Sequence, residues 1–175
     1  MRFSIFLLAA GVDFAAAAAS YSTDELESIG QAIHRCGQGI QDWNGSPLSA
    51  TFVLADCQNV SPVVNKAIQD TKALQDNTPA PDNALVDRGF EIAAKIVEEV
   101  EIYANDAIQK KQQILRLPIV GRPTALRMVE SYKAAAQGAI DLLLGLAGNR
   151  RNEEAHGLEA RLLAALEKAD AEYRK

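Results

Sequence analysis

The sequence predicts an all-α protein, an antiparallel up-down bundle of about five helices. Apolar residues recur at spacings of three and four along most of the 175 residues, as they do on one face of a helix. No segment shows the strict alternation of apolar and polar residues that marks a half-buried strand. Aromatic residues make up only 6% of a chain that is 48% hydrophobic, so the core must consist of aliphatic and small side chains. Such a core favours helices that approach one another closely.

The first twenty residues have the layout of a secretory signal. Arg2 precedes a short apolar stretch, and alanines at positions 17 and 19 offer the small residues that allow cleavage before Ser20. The stretch is shorter than the run of about 20 apolar residues that a spanning helix needs. We therefore expect a signal peptide over residues 1–19, a single helical-bundle domain over residues 20–175, and no transmembrane segment.

The first two predicted helices form a hairpin. Ser22 and Glu25 match the capping box that begins a helix, and apolar residues at helical spacing extend this first helix to about residue 43. Residues 43–47 then place a glycine, a serine cap and a proline in order, which ends one helix and begins the next. The second helix runs to about residue 74, and Pro62 either kinks it or starts a new segment.

Three further helices follow from the same periodicity. The third covers about residues 85–108 and has an apolar face wide enough to contact several neighbours. The fourth and fifth cover about residues 126–146 and 155–173, and the breaks between helices contain prolines or Gly148-Asn149. Because long helices joined by short turns must reverse direction, consecutive helices are expected to be antiparallel.

Two cysteines lie at equal distances from the turn of the hairpin. Cys36 and Cys57 should therefore face each other at one height on opposing helices. Gly37, Gly39 and Ala55 would allow the separation of about 4.4 to 6.8 Å that bridged Cα atoms need. Secretion favours a disulfide here, and two free buried thiols are the alternative.

Two tripeptides match the acceptor pattern for N-linked glycosylation, beginning at Asn44 and at Asn59. Pro62 follows the second and makes it a poor substrate. Asn44 is therefore the better candidate.

The chain lacks the patterns that carry chemistry. Its only histidines are His34 and His156, and neither belongs to a metal-binding or catalytic-triad pattern. No phosphate loop, zinc spacing or nucleophile elbow appears, so we expect a protein that is not an enzyme and needs no metal or cofactor. A net charge of −5 without basic clusters argues against nucleic acid as a partner.

Four stretches carry a family resemblance. They are a helix ending in an aromatic and glycine turn, paired lysines after the long central helix, the helix at residues 126–146, and a closing helix with a terminal tyrosine. The residues are Ile33, Ile40, Trp43 and Gly45; Ile108 to Ile114 with Lys110 and Lys111; Leu126 to Leu146; and Leu166, Ala169 and Tyr173. In this order they resemble the fungal hydrophobic-surface-binding protein and cell wall galactomannoprotein family.

The resemblance implies a secreted fungal protein that binds a fatty acid or similar lipid between its helices, or that adsorbs to hydrophobic surfaces. It also implies an extracellular or cell wall location. The chain departs from the family pattern in lacking a Ser/Thr-rich tail, and its two cysteines are not part of that pattern.

Physical reasoning also points to a ligand site between the helices, because apolar slots between bundle helices commonly bind ligands. A core of alanine, glycine and aliphatic residues leaves room for such a slot, although ordinary core packing is the more common role for each candidate. The tyrosines among the candidates could anchor a carboxylate through their hydroxyls. The candidates are Ile33, Ile40, Leu54, Ile68, Ile96, Val100, Tyr103, Val129, Tyr132, Leu143, Leu162 and Leu166.

A secreted inhibitor or effector that binds another protein is the alternative function. Small disulfide-linked helical bundles also serve that role, and the sequence gives no indication of the oligomeric state.

Overall fold

The computed structural model describes residues 22–75, 80–117, 121–147 and 150–175. These ranges contain seven α-helices and no strand, which confirms the all-α prediction. The predicted signal peptide and Gly148-Asn149 lie outside the described residues. The helices are α1 (Asp24–Asp42), α2 (Pro47–Gln58), α3 (Val60–Gln75), α4 (Asn83–Gln109), α5 (Lys111–Leu115), α6 (Gly121–Ala147) and α7 (Asn152–Arg174).

The long helices form two layers. One layer contains α1, α4 and α7, with α4 in the middle, and the other contains α3 and α6. The Arg88 side chain of α4 bonds to Glu27 near the start of α1, and Asp106 accepts a hydrogen bond from Gln41 near its end. These two helices are therefore parallel.

Consecutive long helices nevertheless alternate in direction, as the short connections require. Gln137 of α6 donates to Glu159 of α7, whereas Glu130, earlier in α6, bonds to Arg174 at the far end of α7. Helices of one layer run parallel because consecutive long helices always lie in opposite layers.

Helix α1 begins one residue later than the capping-box pattern suggested. Thr23 is the N-cap residue, and the Ser22 hydroxyl instead bonds to the Glu25 carboxylate at 3.1 Å. The first turn carries Asp24, Glu25 and Glu27, and negative charge there is favourable beside the positive end of the helix dipole.

Prolines mark helix starts in this chain rather than kinks. The second predicted helix divides at Asn59, and Pro62 then lies in the first turn of α3, where no backbone N–H is needed. Similarly, α6 begins at Gly121, five residues earlier than expected, with Pro123 in its first turn. The short helix α5 was not predicted.

The disulfide between Cys36 and Cys57 is present, with a Cα–Cα distance of 4.5 Å. Gly39 faces Val53 of α2 and allows this approach, as expected. Gly37 has another role, because it faces α4: a Cβ atom there would lie 2.1 Å from the ring of Tyr103.

The main core lies at one end of the bundle, between the first half of α4, the second half of α6 and the first half of α7. Its members include two of the most deeply buried side chains, Phe90 and Val97. Among the residues that the structure describes, no helix is long and apolar enough to cross a bilayer.

Candidate ligand-binding cavity

A cavity of about 220 Å³ lies between the two layers, toward the end of the bundle where α1, α4 and α7 terminate. Each of the seven helices contributes to its wall. The lining residues are Ile29, Ile33, Cys36, Gly37, Ile40, Trp43, Ala50, Val53, Leu54, Cys57, Val60, Val64, Ile96, Val100, Tyr103, Ala104, Ala107, Ile114, Leu117, Ala125, Met128, Val129, Tyr132, Ala135, Ala136, Ala139, Leu162, Leu166, Ala169 and Tyr173.

Small side chains keep this volume open. Helix α6 presents alanines to the cavity at positions 125, 135, 136 and 139, and the second half of α4 adds Ala104 and Ala107. Protein interiors are normally packed as densely as organic crystals, so a void of this size leaves many lining atoms without contact partners. An apolar ligand would supply those contacts.

Ten of the twelve residues predicted to line a ligand site lie in the cavity wall, and Ile68 and Leu143 do not. Ile68 packs onto α6 at Gly138, where an added Cβ atom would lie 2.7 Å from its Cδ1 atom. Leu143 belongs to the main core at the other end of the bundle, which we call the solid core. The sequence did not identify the alanines of the cavity wall, although their clustering on α6 could have indicated a helix face without bulky side chains. It also did not identify Ile114 and Leu117, which lie outside every predicted helix.

Two lining tyrosines have their hydroxyl hydrogens engaged. Tyr132 donates to the backbone oxygen of Cys57, and its burial raises the pKa of the phenol well above the usual value. Tyr173 donates to the oxygen of Ala107 at 2.9 Å, and burial raises the pKa of Tyr173 to about 12. Both phenols are therefore neutral at physiological pH.

Tyr103 differs because its hydroxyl reaches the surface between α4 and α1. The oxygen lies 3.1 Å from Nδ1 of His34, which in turn lies 3.2 Å from a Glu99 carboxylate oxygen. Partial burial, with smaller contributions from the negative charges of Glu99 and Asp106, raises the pKa of Tyr103. Its ring packs against α1 at Gly37.

The paired lysines close the end of the bundle at the cavity. The Lys110 ammonium donates to the oxygens of Ile40 and Gln41, each at 2.6 Å, and of Trp43 at 2.9 Å. Lys111 donates to the backbone oxygen of Glu172. Each lysine thus satisfies carbonyls at the negative end of a helix dipole, one at α1 and the other at α7. Between them they fix α5, whose Ile114 lines the cavity.

Helix α2 is apolar on both sides. Its inner residues, including Val53 and Leu54, line the cavity, while Leu48 and Phe52 on the outside are 81% and 74% exposed. A four-residue spacing places those two side chains next to each other on one face.

The two histidines lie apart on the surface. His34 lies beside Tyr103, and His156 is 3.1 Å from Glu159 on α7. In the described ranges, no group of three histidine, cysteine or acidic side chains is arranged as a metal site.

No family model and no curated protein matches the sequence. Among solved structures, the fold is similar to AfMP4p in complex with palmitic acid, with a TM-score of 0.76 and 17% identity over 86% of this chain and 95% of that chain. It is also similar to ligand binding domain 1 of the Penicillium marneffei MP1 protein, complexed with arachidonic acids. That TM-score is 0.75 at 14% identity, over 86% of this chain and 95% of that chain.

Ligand binding domain 2 of the same Penicillium marneffei protein, complexed with multiple arachidonic acids, has a TM-score of 0.74 at 14% identity. The similarity covers 86% of this chain and 92% of that chain. At such low identity, these similarities establish that this chain shares the helical fold of those domains.

Proposed function

We propose that this protein binds a fatty acid or similar single-chain lipid in the cavity and catalyses no reaction on it. The observation that carries the proposal is the nearly wholly apolar wall, to which all seven helices contribute. Each CH₂ group moved from water into such a wall contributes about 0.8 kcal/mol. The volume of about 220 Å³ lies below the range of about 300 to 1,000 Å³ that is usual for ligand pockets, so a ligand must be slender.

The structural neighbours support the same ligand class, because their structures contain palmitic or arachidonic acids. Together with the sequence resemblance, they support membership of the fungal hydrophobic-surface-binding and cell wall galactomannoprotein family.

A matched pair of substitutions on α6 tests the proposal. Ala136 lines the cavity, whereas Ala134, two residues away, is exposed. After delipidation, we expect the unsubstituted protein and Ala134→Phe to bind palmitic acid stoichiometrically in titration calorimetry. Ala136→Phe should fill the cavity and weaken binding at least about tenfold, as a loss of about 1.4 kcal/mol would. Failure of the unsubstituted protein to bind, or equal binding by Ala136→Phe, would contradict the proposal.

Adsorption to hydrophobic surfaces is a second candidate function, favoured by the exposed pair Leu48 and Phe52 on α2. Exposed apolar patches on soluble proteins commonly mark interaction surfaces. The double variant Leu48→Gln/Phe52→Gln should adsorb less to alkyl-coated beads while still binding palmitic acid in solution. Unchanged adsorption would rule out this face as the adsorbing surface.

We further propose that the protein acts outside the cell or at the cell wall, after removal of residues 1–19. The disulfide supports this location, since such bonds persist in oxidising compartments. Asn44 is exposed in the turn between α1 and α2, where a glycan would have room, and Asn59 is exposed between α2 and α3. Intact-mass analysis of protein secreted by a eukaryotic host should show Ser20 as the first residue. Asn44→Gln should remove the glycan mass.

A further inference from the structure

A lipid in the cavity ends in a polar group, which needs a hydrogen-bonding partner where it leaves the apolar wall. Among the described lining residues, the side-chain N–H and O–H groups belong to one tryptophan and three tyrosines. The Trp43 indole donates to the oxygen of Ser46 at 2.9 Å. Tyr132 and Tyr173 donate to backbone oxygens as described above. These three donors already bond to backbone oxygens of the protein, so a ligand would have to displace those bonds.

Tyr103 is the fourth donor, and its partner can be exchanged. Its hydroxyl lies 3.1 Å from Nδ1 of His34, whose side chain is 48% exposed. Nδ1 carries at most one hydrogen, so it can accept from Tyr103 or donate to Glu99 at 3.2 Å, but not both at once. When Nδ1 donates to Glu99, the Tyr103 hydroxyl is free to donate elsewhere, and water can replace any lost contact of the exposed imidazole.

The position of the Tyr103 ring depends on α1. It occupies the space beside Gly37, where a Cβ atom would lie only 2.1 Å from it. The ring thus forms part of the cavity wall while its hydroxyl remains at the surface between α1 and α4. A tyrosine held in this way connects the apolar interior with the solvent.

We propose that Tyr103 and His34 bind the carboxylate head of the lipid and so select free fatty acids over their esters. This inference rests on the proposed function. The Tyr103 hydroxyl donates to one carboxylate oxygen, and His34 donates its Nδ1 hydrogen to the other in place of Glu99, whose side chain is 34% exposed and can bond to water. Glu99 and Asp106 of α4 lie on the same side and make this region negative. A carboxylate therefore needs both donors to be held here.

The test compares palmitic acid with methyl palmitate, which has the same chain but no charge. Hydrogen bonds to a charged group are roughly twice as strong as neutral ones, so the unsubstituted protein should prefer the acid by about tenfold. The variant Tyr103→Phe/His34→Leu should lose this preference and bind acid and ester with similar affinity, because neither new side chain has an N–H or O–H group. Tyr173→Phe is the matched control, since it removes a lining hydroxyl that bonds to Ala107, and it should keep the preference.

The outcomes separate the two proposals. Equal binding of acid and ester by the unsubstituted protein, or a preserved preference in Tyr103→Phe/His34→Leu, would overturn the head-group site and leave lipid binding intact. Binding of neither compound would overturn lipid binding itself and the head-group site with it.

Discussion

The two ends of the bundle are built from the same helices but packed differently. At one end, the first half of α4 meets α6 and α7 in a solid core, where Phe90 is 0% and Val97 is 2% exposed. At the other end, the second half of α4 and residues 125–139 of α6 line the cavity. One difference is side-chain size on α6, where alanines hold four of the seven cavity-lining positions, whereas Ile140 and Leu143 fill the solid core. One backbone architecture can thus be solid or hollow, depending on a few positions.

Both ends are fastened by pairs of basic residues, but in different ways. At the solid end, Arg150 donates to the oxygen of Ala147 at 2.8 Å, and the Arg151 guanidinium lies 4.4 Å from the centre of the Phe90 ring. At the cavity end, Lys110 and Lys111 bind backbone carbonyls around α5. The arginines therefore cover a filled core, whereas the lysines fix a short helix that borders an open volume.

The largest expected effect is at the solid end. Phe90→Ala should lower the free energy of unfolding by about 3 to 5 kcal/mol, because it removes a fully buried ring and leaves a cavity. Urea denaturation followed by circular dichroism measures the change. A loss below about 1 kcal/mol would show that this end is not the stabilising core.

The same substitution on one helix compares the two ends directly. Val97 is buried in the solid core, and Val100, one turn later, lines the cavity. Val97→Ala should cost about 2 to 3 kcal/mol of unfolding free energy, since it loses both transfer energy and packing contacts. Val100→Ala should cost about 1 kcal/mol in the delipidated protein, because its side chain already borders empty space. Equal losses would contradict the contrast between the ends.

Removing a cap at the cavity end should have a smaller effect. Lys110→Met keeps the aliphatic stem but loses three bonds to carbonyls, so the unfolding free energy should fall by about 1 to 2 kcal/mol. Hydrogen exchange should also accelerate in α5. Lys95→Met, at an exposed position on α4, is the control and should leave both quantities unchanged.

The smallest effect is expected at the exposed ion pair between Glu101 and Arg161, which links α4 to α7 at 2.7 Å. Hydrogen bonds from Arg161 hold the pKa of Glu101 below its usual value. A lowered carboxyl pKa stabilises the fold above the unfolded-state pKa of about 4.3, and this contribution is lost as pH falls through the folded-state pKa. Glu101→Gln should therefore melt slightly lower than the unsubstituted protein at pH 7.

The melting difference at Glu101 should shrink as pH falls below about 4.3, and it should disappear only below the lowered folded-state pKa of Glu101, where the carboxyl group is protonated in both states. High salt should also shrink it at pH 7, as expected for a surface pair. A difference that persists unchanged in acid would mean that the side chain acts through packing instead.

Helix order and direction could be predicted from the sequence, because periodicity and turn residues are local signals. The disulfide was predictable for the same reason, since Cys36 and Cys57 flank a recognisable turn. Which helices share a layer was not, because lateral order depends on contacts between distant segments. The three carbonyl bonds of Lys110, for example, form only because α1 and α4 end side by side.

The candidate site was predictable in part. Periodicity identifies the inward face of a helix but not the height along it at which the core becomes hollow. Ile68 and Leu143 face inward like the lining residues, yet they lie beside Gly138 and in the solid core, away from the cavity. Tyr103 was identified as a candidate anchor, but its contact with His34 joins residues 69 positions apart.

Diffraction from crystals grown with palmitic acid that carries bromine on its last carbon is the most direct test of lipid binding. We expect an anomalous peak inside the cavity, among the alanines of α6 and the aliphatic side chains of α1 and α4, with the carboxylate near Tyr103. A peak on the outer face of α2 at Phe52, or no ordered bromine, would contradict it.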